Sequence, residues 1–597
     1  MNARFKFAAA AMLAACVIAS NAYASDATPP AKKHPAHKAE KPKGPTVEEQ
    51  IQSLRQDMES QINGLKSDLA AKDAQLRQAQ QAAADAQAAA AKAQAAADSE
   101  QQALTENKSA VDTLNTTVTD LKANSVSLAT TLSDETGKIK KSLESPEVIH
   151  FKGITLSPTG SFVAAETVYR SRAMGADINT QFTGVPLDAS DNAKISEWQG
   201  SGRQSRIALK AIGKLDNMTL TGYYEADWLG TGVSSNNNQS NSYVLRQRTI
   251  WAQAALASGW TFTGGQMWSL ATETTQGLSN GTEILPATID SQYNAGFVWA
   301  RQYGFRVAKA FSKQFFLGLS AENAEALSPA GSGLPTNFLF GQLGNSGGLY
   351  NAFNATISYN PAPDFILKMA VEPGWGHWEL FGIGRFWRDR IYPNAPTNGL
   401  NAYNWDTGSA GLGGSVRGPL AGKRVSVGMK GLYGEGVGRY GSSNIADFTI
   451  KPSSAIAPLR AFSSLATVEF NDNPTNPRLL VYLNAGVDYV YRRYYGKEGY
   501  GAPATSMSGC NTEILPTNST TPNVPSTCGN QNKDVQEGTV GYWYYIYKGP
   551  KGGLRQGIQY SHFRRDLWSG AGGATNPGNG AKGSDDEIYT SLRYYLP

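Results

Sequence analysis

From about residue 159 to the carboxyl terminus, apolar and polar residues alternate with a period of two in short segments. In the segment 587–597, Ile588 and Leu592 fall on one face, and Ser591 and Arg593 fall on the other. This period places successive side chains on opposite sides of a β-strand. Each segment is therefore predicted to be a strand with one apolar face and one polar face.

The connections between these segments fall into two length classes. Seven are short, such as residues 215–217 and 257–259, and eight are long and polar. Outer-membrane barrels have short periplasmic turns and long external loops, whereas a soluble β-sandwich alternates without sorting its loops by length. We therefore predict an all-β transmembrane barrel of about sixteen antiparallel strands over residues 150–597, with both barrel ends at the periplasmic side.

The predicted strands alternate in direction. Upward strands are placed near 159–169, 218–228, 260–268, 314–326, 376–391, 422–433, 478–495 and 553–566, and downward strands near 203–214, 243–256, 292–311, 350–372, 408–417, 463–471, 537–548 and 585–597. The weakest assignment is 350–372, because Pro361 to Asp364 resembles a hairpin turn. A second crossing there would place residues 391–406 among the short turns, so we predict one crossing.

Over residues 47–145, before the barrel, apolar residues recur with a period of seven instead of two, which predicts a long periplasmic coiled coil. One such segment per chain implies a homo-oligomer, and Asn107 at a d position would determine its register. A single Ala-rich helix is the alternative, because residues 79–97 offer little apolar area. The a positions include Ile62, Leu69, Leu76, Leu104, Val111, Val118, Leu132 and Ile139, and the d positions include Leu65, Leu114, Leu121 and Leu128.

The amino-terminal residues have the composition of targeting and linker segments. Residues 1–24 form a predicted signal peptide, because basic residues precede an apolar run over 7–19 and a small-residue cleavage site ends at Ala24. Lipidation of Cys16 is an alternative, although apolar residues continue beyond it. Residues 25–46 are rich in Lys, Pro and His, and we expect them to be disordered.

Composition is consistent with an envelope protein: 10% of residues are aromatic, and 62 are glycine. After cleavage, only Cys510 and Cys528 remain, both in a loop rich in Pro, Ser, Thr and Asn. In an oxidising compartment we expect them to form a disulfide, with free thiols or metal binding as alternatives. Neither cysteine has further ligands at metal-binding spacing, so no metal site and no cofactor are predicted.

A barrel of this size encloses an aqueous channel, so its function depends on what narrows and charges that channel. The third long loop, Ser269 to Ser291, carries Glu273, Glu283 and Asp290. Because a charge facing lipid is costly, we expect the strand arginines to face water and to form an electropositive wall opposite this acidic loop. The alternative is that individual arginines lie at the rims and contact anionic headgroups. The basic residues are Arg203, Arg206, Lys210, Arg246, Arg248, Arg301, Arg306 and Arg385.

Four segments resemble the early strands of outer-membrane porins, and the order of segments is most similar to that of DcaP-like porins. They are SGRQSRIALK (201–210), 243–252, GGQMWS (264–269) and RQYGFR (301–306). The resemblance implies a trimer of sixteen-stranded barrels with periplasmic coiled coils, which admits small and often dicarboxylate-like anions. The chain departs from it by ending in Leu596-Pro597, where such barrels usually end in an aromatic residue.

The sequence therefore predicts an outer-membrane porin, a passive channel for small hydrophilic solutes with a modest preference for anions. The expected partners are the outer membrane and its lipopolysaccharide, small anionic or polar solutes, two further copies of the chain, and peptidoglycan near the amino-terminal region. No nucleic-acid partner is expected.

The alternative to a porin is a structural protein whose coiled-coil rod spaces or tethers the outer membrane to the cell wall. A trimeric adhesin fits less well, because its anchor contributes few strands per chain. An enzyme is not expected, because His150, His377 and His562 are scattered and no nucleophile, base and orienting acid form a constellation.

Overall fold

The computed structural model describes residues 106–144, 149–180, 182–230, 235, 242–329, 335, 337–343, 356–510, 513, 528–529, 531–572 and 580–597. The predicted signal peptide, the segment 25–46 and the heptads before residue 106 lie outside the described residues.

Sixteen antiparallel strands form one closed barrel, which confirms the predicted number. The sheet closes where Leu592 of the last strand pairs with Ala165 of the first. The strands are β1 (Phe162–Arg170), β2 (Glu197–Ser201 continued by Arg206–Lys214), β3 (Met218–Gly230), β4 (Val244–Leu256), β5 (Trp260–Trp268), β6 (Arg301–Ala310), β7 (Phe315–Glu322), β8 (Asp364–Val371), β9 (His377–Ile391), β10 (Tyr403–Leu420), β11 (Val425–Glu435), β12 (Arg460–Asn471), β13 (Leu479–Val490), β14 (Asn532–Gly549), β15 (Gly552–Leu567) and β16 (Lys582–Tyr595).

Several shorter strands lie outside this series. Ile149–Phe151 and Ile154–Ser157 form a hairpin that pairs with β2, and Phe338–Leu339 pairs with β9. Three two-stranded ribbons lie in the described parts of the long loops, among them Arg493–Tyr495 with Glu498–Tyr500.

The described residues of the region 350–372 contain one crossing, as predicted. Strand β8 pairs with β7 on one side and with β9 on the other, and Pro361 and Pro363 both precede its first residue, Asp364. Proline has no N–H group to donate to a sheet, so its position before the strand leaves both ladders intact.

The two faces of the barrel wall have opposite chemistry. On the outside, Val163 and Leu592 leave 59% and 44% of their surface exposed, whereas on the inside Glu166 and Arg593 expose 3% and 5%. This is the reverse of a soluble protein, in which large apolar patches are covered. An apolar exterior around a polar interior is stable where lipid surrounds the barrel.

Helix α1 (Glu106–Glu144) lies within the predicted coiled-coil segment. The described residues of that segment show this one helix and no coiled coil, so the long coiled coil over 47–145 is not supported by the fold. Among the helix residues whose burial is described, the apolar heptad positions are exposed by between 36% and 55%: Leu114, Val118, Leu121, Leu128 and Leu132. Within the described part of the chain, no helix has both the length and the apolar character needed to cross a membrane.

Candidate pore constriction

Loop L3 (269–300), between β5 and β6, lies inside the barrel and reaches the opposite wall. Its backbone N–H groups donate to buried side chains of β9, β13, β14 and β15, which a loop outside the barrel would not reach. The contacts are Thr274 N to Glu379 (2.9 Å), Ile289 N to Gln559 (2.7 Å), Ala295 N to Glu537 (2.7 Å) and Gly296 N to Asp488 (3.0 Å).

Close contact with the wall explains one glycine of L3. Gly296 has a φ of 77°, and a Cβ atom at this position would lie 1.9 Å from the carbonyl oxygen of Ser464 in β12. Only glycine combines this backbone conformation with so close an approach. The loop backbone is therefore packed directly against the strand.

The first half of L3 is attached to the wall through Glu379. This carboxylate accepts hydrogen bonds from both the N–H and the hydroxyl of Thr274, and it lies 2.7 Å from Lys368 Nζ and 2.9 Å from His377 Nε2. His377 Nδ1 lies 2.8 Å from Glu372, which accepts from Gly277 N of the same loop. This cluster was not predicted from the sequence, although residues 377 and 379 share one face of a predicted strand.

Two of the predicted acidic residues have local roles in this half of the loop. Glu273 pairs with Arg417 at 2.8 Å and lies 3.6 Å from Lys430, so it binds L3 to β10 and β11. Glu283 accepts a hydrogen bond from Gly281 N, and burial raises the pKa of the Glu283 carboxyl. Neither residue lines the narrow cleft described next.

A narrow polar cleft separates the second half of L3 from the wall formed by β2, β3 and β4. It has a volume of about 10 Å³, room for about one water molecule. Three of the predicted residues meet here, namely Arg206, Arg248 and Asp290. The cleft is also lined by Asn179, Gln204, Asp227, Leu229, Ser291, Gln292 and Tyr293.

Two carboxylates on β3 hold these arginines in place. Glu225 pairs with Arg248 Nε and lies 3.4 Å from Arg206, while Asp227 lies 2.7 Å from Arg248 and accepts two hydrogen bonds from Arg246 at 2.8 and 2.9 Å. The register between β3 and β4 shifts beside Arg248, and this bulge turns the side chain inward. Neither carboxylate was predicted as a site residue, although their two-residue spacing places them on one face of a predicted strand.

The positive charges of the guanidinium groups at the cleft outnumber the negative charges of the carboxylates. Arg206, Arg248, Asp227 and Asp290 line the cleft. Arg246, Arg301 and Glu225 lie beside it, in contact with lining residues, so four guanidinium groups face three carboxylates. Arg301 donates to Gln292 Oε1 at 3.3 Å and lies over the rings of Trp268 and Trp299. Arg206 Nε, Arg248 Nη2 and the Nε and Nη1 of Arg301 are buried and have no partner among the described residues.

Asp290 faces these arginines from loop L3. Its Oδ1 accepts a hydrogen bond from Gln559 Nε2 at 3.0 Å, and its Oδ2 has no partner among the described residues. Burial raises the pKa of the Asp290 carboxyl to about 6. The negative charge that opposes the basic wall therefore changes within an accessible range of pH.

The other predicted basic residues lie outside the cleft. Arg203 is at the long-loop end, where it pairs with Asp177 at 2.5 Å and lies over the ring of Tyr243. Arg306 donates to Trp268 O and Asn280, and Arg385 pairs with Asp364 and Asp447. Lys210 is half-buried on β2. The predicted basic wall is therefore smaller than expected and consists of Arg206 and Arg248, with Arg246 and Arg301 beside them.

Cys510 and Cys528 are joined in a disulfide within loop L7 (491–531), with their Cα atoms 4.6 Å apart. Both are buried in a cluster with Leu187, Met507 and Leu567. The bridge therefore lies where L7 packs on the first long loop and the end of β15.

The comparisons with known proteins concern the fold. The sequence matches no family model and no curated protein. The structure is similar to that of the outer membrane channel DcaP of Acinetobacter baumannii, with a TM-score of 0.50 and 13% identity over 74% of this chain and 98% of that chain. The resemblance to DcaP-like porins is thus confirmed at the level of the fold.

Two further solved structures match with lower TM-scores. The anion-selective porin from Comamonas acidovorans has a TM-score of 0.37 and 10% identity over 74% of this chain and 99% of that chain. OmpF of Salmonella typhi has a TM-score of 0.39 and 8% identity over 75% of this chain and 99% of that chain.

Proposed function

We propose that this chain is an outer-membrane porin, a passive and non-enzymatic channel for small hydrophilic solutes with a modest preference for anions. The closed barrel, its apolar exterior and a loop folded across its interior support the channel. One observation carries the preference for anions: Arg206 and Arg248, which line the narrow cleft, each keep a buried nitrogen atom without a partner among the described residues.

The expected preference is modest because the charge excess is small. One net positive charge about 4 Å from an ion in a water-filled passage stabilises an anion by about 1 kcal/mol, roughly a fivefold effect. Guanidinium groups bind carboxylates through two parallel hydrogen bonds, so carboxylates are the favoured anions. They include the dicarboxylates that the resemblance to DcaP-like porins implies.

Reversal potentials in planar bilayers under a KCl gradient test this proposal. The wild-type channel should favour chloride over potassium, and Arg206→Gln with Arg248→Gln should lower that preference. Arg388→Gln is the matched control, because Arg388 pairs with Asp406 on the exposed outer side of β9 and β10. Cation selectivity of the wild-type channel, or equal selectivity in all three proteins, would refute the assignment of selectivity to the cleft.

We further propose that three chains assemble through helix α1, with the amino-terminal region in the periplasm. The exposed Leu114, Leu121 and Leu128 support this, because an apolar stripe at heptad positions is stable in water when identical helices cover it. Both termini of the barrel lie at the end with the short turns, which supports the same placement.

A further inference from the structure

The barrel wall is split between β2 and β3 at the end with the long loops. The upper part of β2, Glu197–Ser201, pairs with β1 but not with β3, whereas the lower part, Arg206–Lys214, pairs with β3. Ladder pairing with β3 ends at Arg206, and above it Trp228 N donates to Arg203 O at 3.1 Å. One edge of Glu197–Ser201 therefore has no strand beside it among the described residues.

A pocket of about 820 Å³ lies in this split. This rim slot is bounded by Glu197–Ser201 side on one hand and by the end of β3 and the start of β4 on the other. Arg203 joins the two sides, because it donates from Nε to Trp228 O at 3.0 Å, pairs with Asp177 at 2.5 Å and lies 3.5 Å from the centre of the Tyr243 ring. These contacts fix the shape of the slot.

Three aromatic rings line the rim slot, namely those of Trp198, Trp228 and Tyr243. Trp198 is 61% exposed, and a Cβ atom at Gly200 would lie 3.1 Å from its ring. The indole thus lies across the backbone at Gly200 and presents its other face to the surroundings. Aromatic faces carry partial negative charge, which suits the C–H face of a pyranose ring.

The rim slot offers hydrogen bonds without a net charge. Asp177 and Arg203 are the charged residues among its described lining residues, and they neutralise each other. The unpaired edge of Glu197–Ser201 adds backbone N–H and C=O groups, for which hydrocarbon supplies no partners. Hydroxyl groups both donate and accept, so a hydroxylated ring satisfies both kinds of backbone group.

The rim slot opens on the outer face of the barrel. Trp198 pairs with Tyr169 of β1, and both side chains are exposed on that face. Outward aromatic residues mark the level at which a barrel meets the polar part of the membrane. In the outer leaflet of an outer membrane, that level is occupied by the sugars of lipopolysaccharide.

We propose that the rim slot binds a hexopyranose of the lipopolysaccharide core, with the C–H face of the sugar on Trp198 and its hydroxyls at the free edge of Glu197–Ser201. The proposal requires a barrel in the outer membrane and is independent of the ion preference of the channel. A free sugar in solution offers the same ring, so the experiment separates these two sources.

Two forms of lipopolysaccharide test the proposal, one with a complete core and one truncated to lipid A. Each is titrated into the purified wild-type protein in detergent, and the dissociation constants are measured by native mass spectrometry. The complete form should bind roughly tenfold more tightly, as expected for about two net hydrogen bonds. Maltose is the free sugar, and it should not displace the complete form at equal concentration, because it lacks the lipid that holds the core sugar near the slot.

Variants of the aromatic rings test the position of the sugar. Trp198→Ala with Trp228→Ala should abolish the difference between the two forms and leave the binding of lipid A unchanged. Trp198→Phe keeps an aromatic face and should retain most of the difference. Trp405→Ala is the matched control, because Trp405 is also an exposed aromatic residue near the long-loop end of its strand, β10, and does not line the slot.

Three results would overturn the proposal. The first is equal affinity of the wild-type protein for the two forms, or a double variant that keeps the tenfold difference. The second is displacement of the complete form by an equal concentration of maltose, which would make the slot a site for free sugars. The third is a double variant that changes its oligomeric state, which would assign the slot to an interface between copies of the chain.

Discussion

Removal of the Glu379 charge should release the first half of loop L3 from the barrel wall. Glu379→Gln keeps the size of the side chain but leaves Lys368, which is 0% exposed, without its carboxylate partner at 2.7 Å. The same carboxylate accepts hydrogen bonds from Thr274 of L3 and from Ser415 of β10. This one substitution therefore weakens the attachment of the loop and leaves the buried positive charge of Lys368 without its carboxylate partner.

The magnitude follows from the burial of this ion pair. Removing one partner of a buried ion pair costs about 3 to 5 kcal/mol, because the other charge remains uncompensated. At about 1.4 kcal/mol per factor of ten, the equilibrium between docked and undocked loop shifts by roughly 10² to 10⁴. The contacts of Gly296 and Ala295 in the second half of L3 are untouched, so the barrel should still fold.

Single-channel recording measures the consequence. The Glu379→Gln channel should show frequent transitions between current levels and a larger mean conductance, because the undocked loop widens the passage. Glu498→Gln is the matched control, since Glu498 is exposed in loop L7 and distant in sequence from the anchor. The double variant Lys368→Met with Glu379→Gln should show fewer transitions between current levels than Glu379→Gln alone, because it no longer contains the unpaired buried charge of Lys368. Wild-type noise and conductance in Glu379→Gln would refute the role of Glu379 as a loop anchor.

Three further predictions concern charge, assembly and the disulfide. Because burial raises the pKa of Asp290 to about 6, acidification from about pH 7.5 to about pH 5 should neutralise it and raise chloride preference, and Asp290→Asn should remove this dependence on pH. The double variant Leu121→Asp with Leu128→Asp should reduce the amount of trimer detected by native mass spectrometry. Val126→Asp is the control and should not, because Val126 is exposed but lies outside the a and d positions. A double variant that stays trimeric would assign assembly to the barrel. Alkylation of the denatured, unreduced protein should modify neither Cys510 nor Cys528, and labelling of either thiol would contradict the disulfide.

Much of the barrel could be predicted from local pattern because each strand carries its own signal. The alternation around Ile588 and Leu592 assigns outward and inward faces without reference to any other strand. The alternation of short and long connections then gives the direction of each strand. Even the difficult segment before β8 followed from counting, since a sixteen-stranded barrel with both ends on one side leaves room for only one crossing there.

The candidate site was predictable only in part. Arg206 and Arg248 were identified because a charged residue on a barrel strand has to avoid lipid. Arg203 and Arg385 obey the same rule but pair with Asp177 and with Asp364 and Asp447 at other places in the barrel. Strand position alone does not distinguish a charge that faces the passage from one that docks a loop.

The sequence by itself determined the barrel, its number of strands, the direction of each strand and the helical period of α1, because these depend on periodicity over a few neighbouring residues. Only the tertiary structure decided where loop L3 goes and which carboxylates pair with which arginines. These features depend on contacts between residues far apart in the chain, such as Gly296 with Asp488 and Asp290 with Gln559. A local pattern does not encode such contacts, and the passage takes its shape and charge from them.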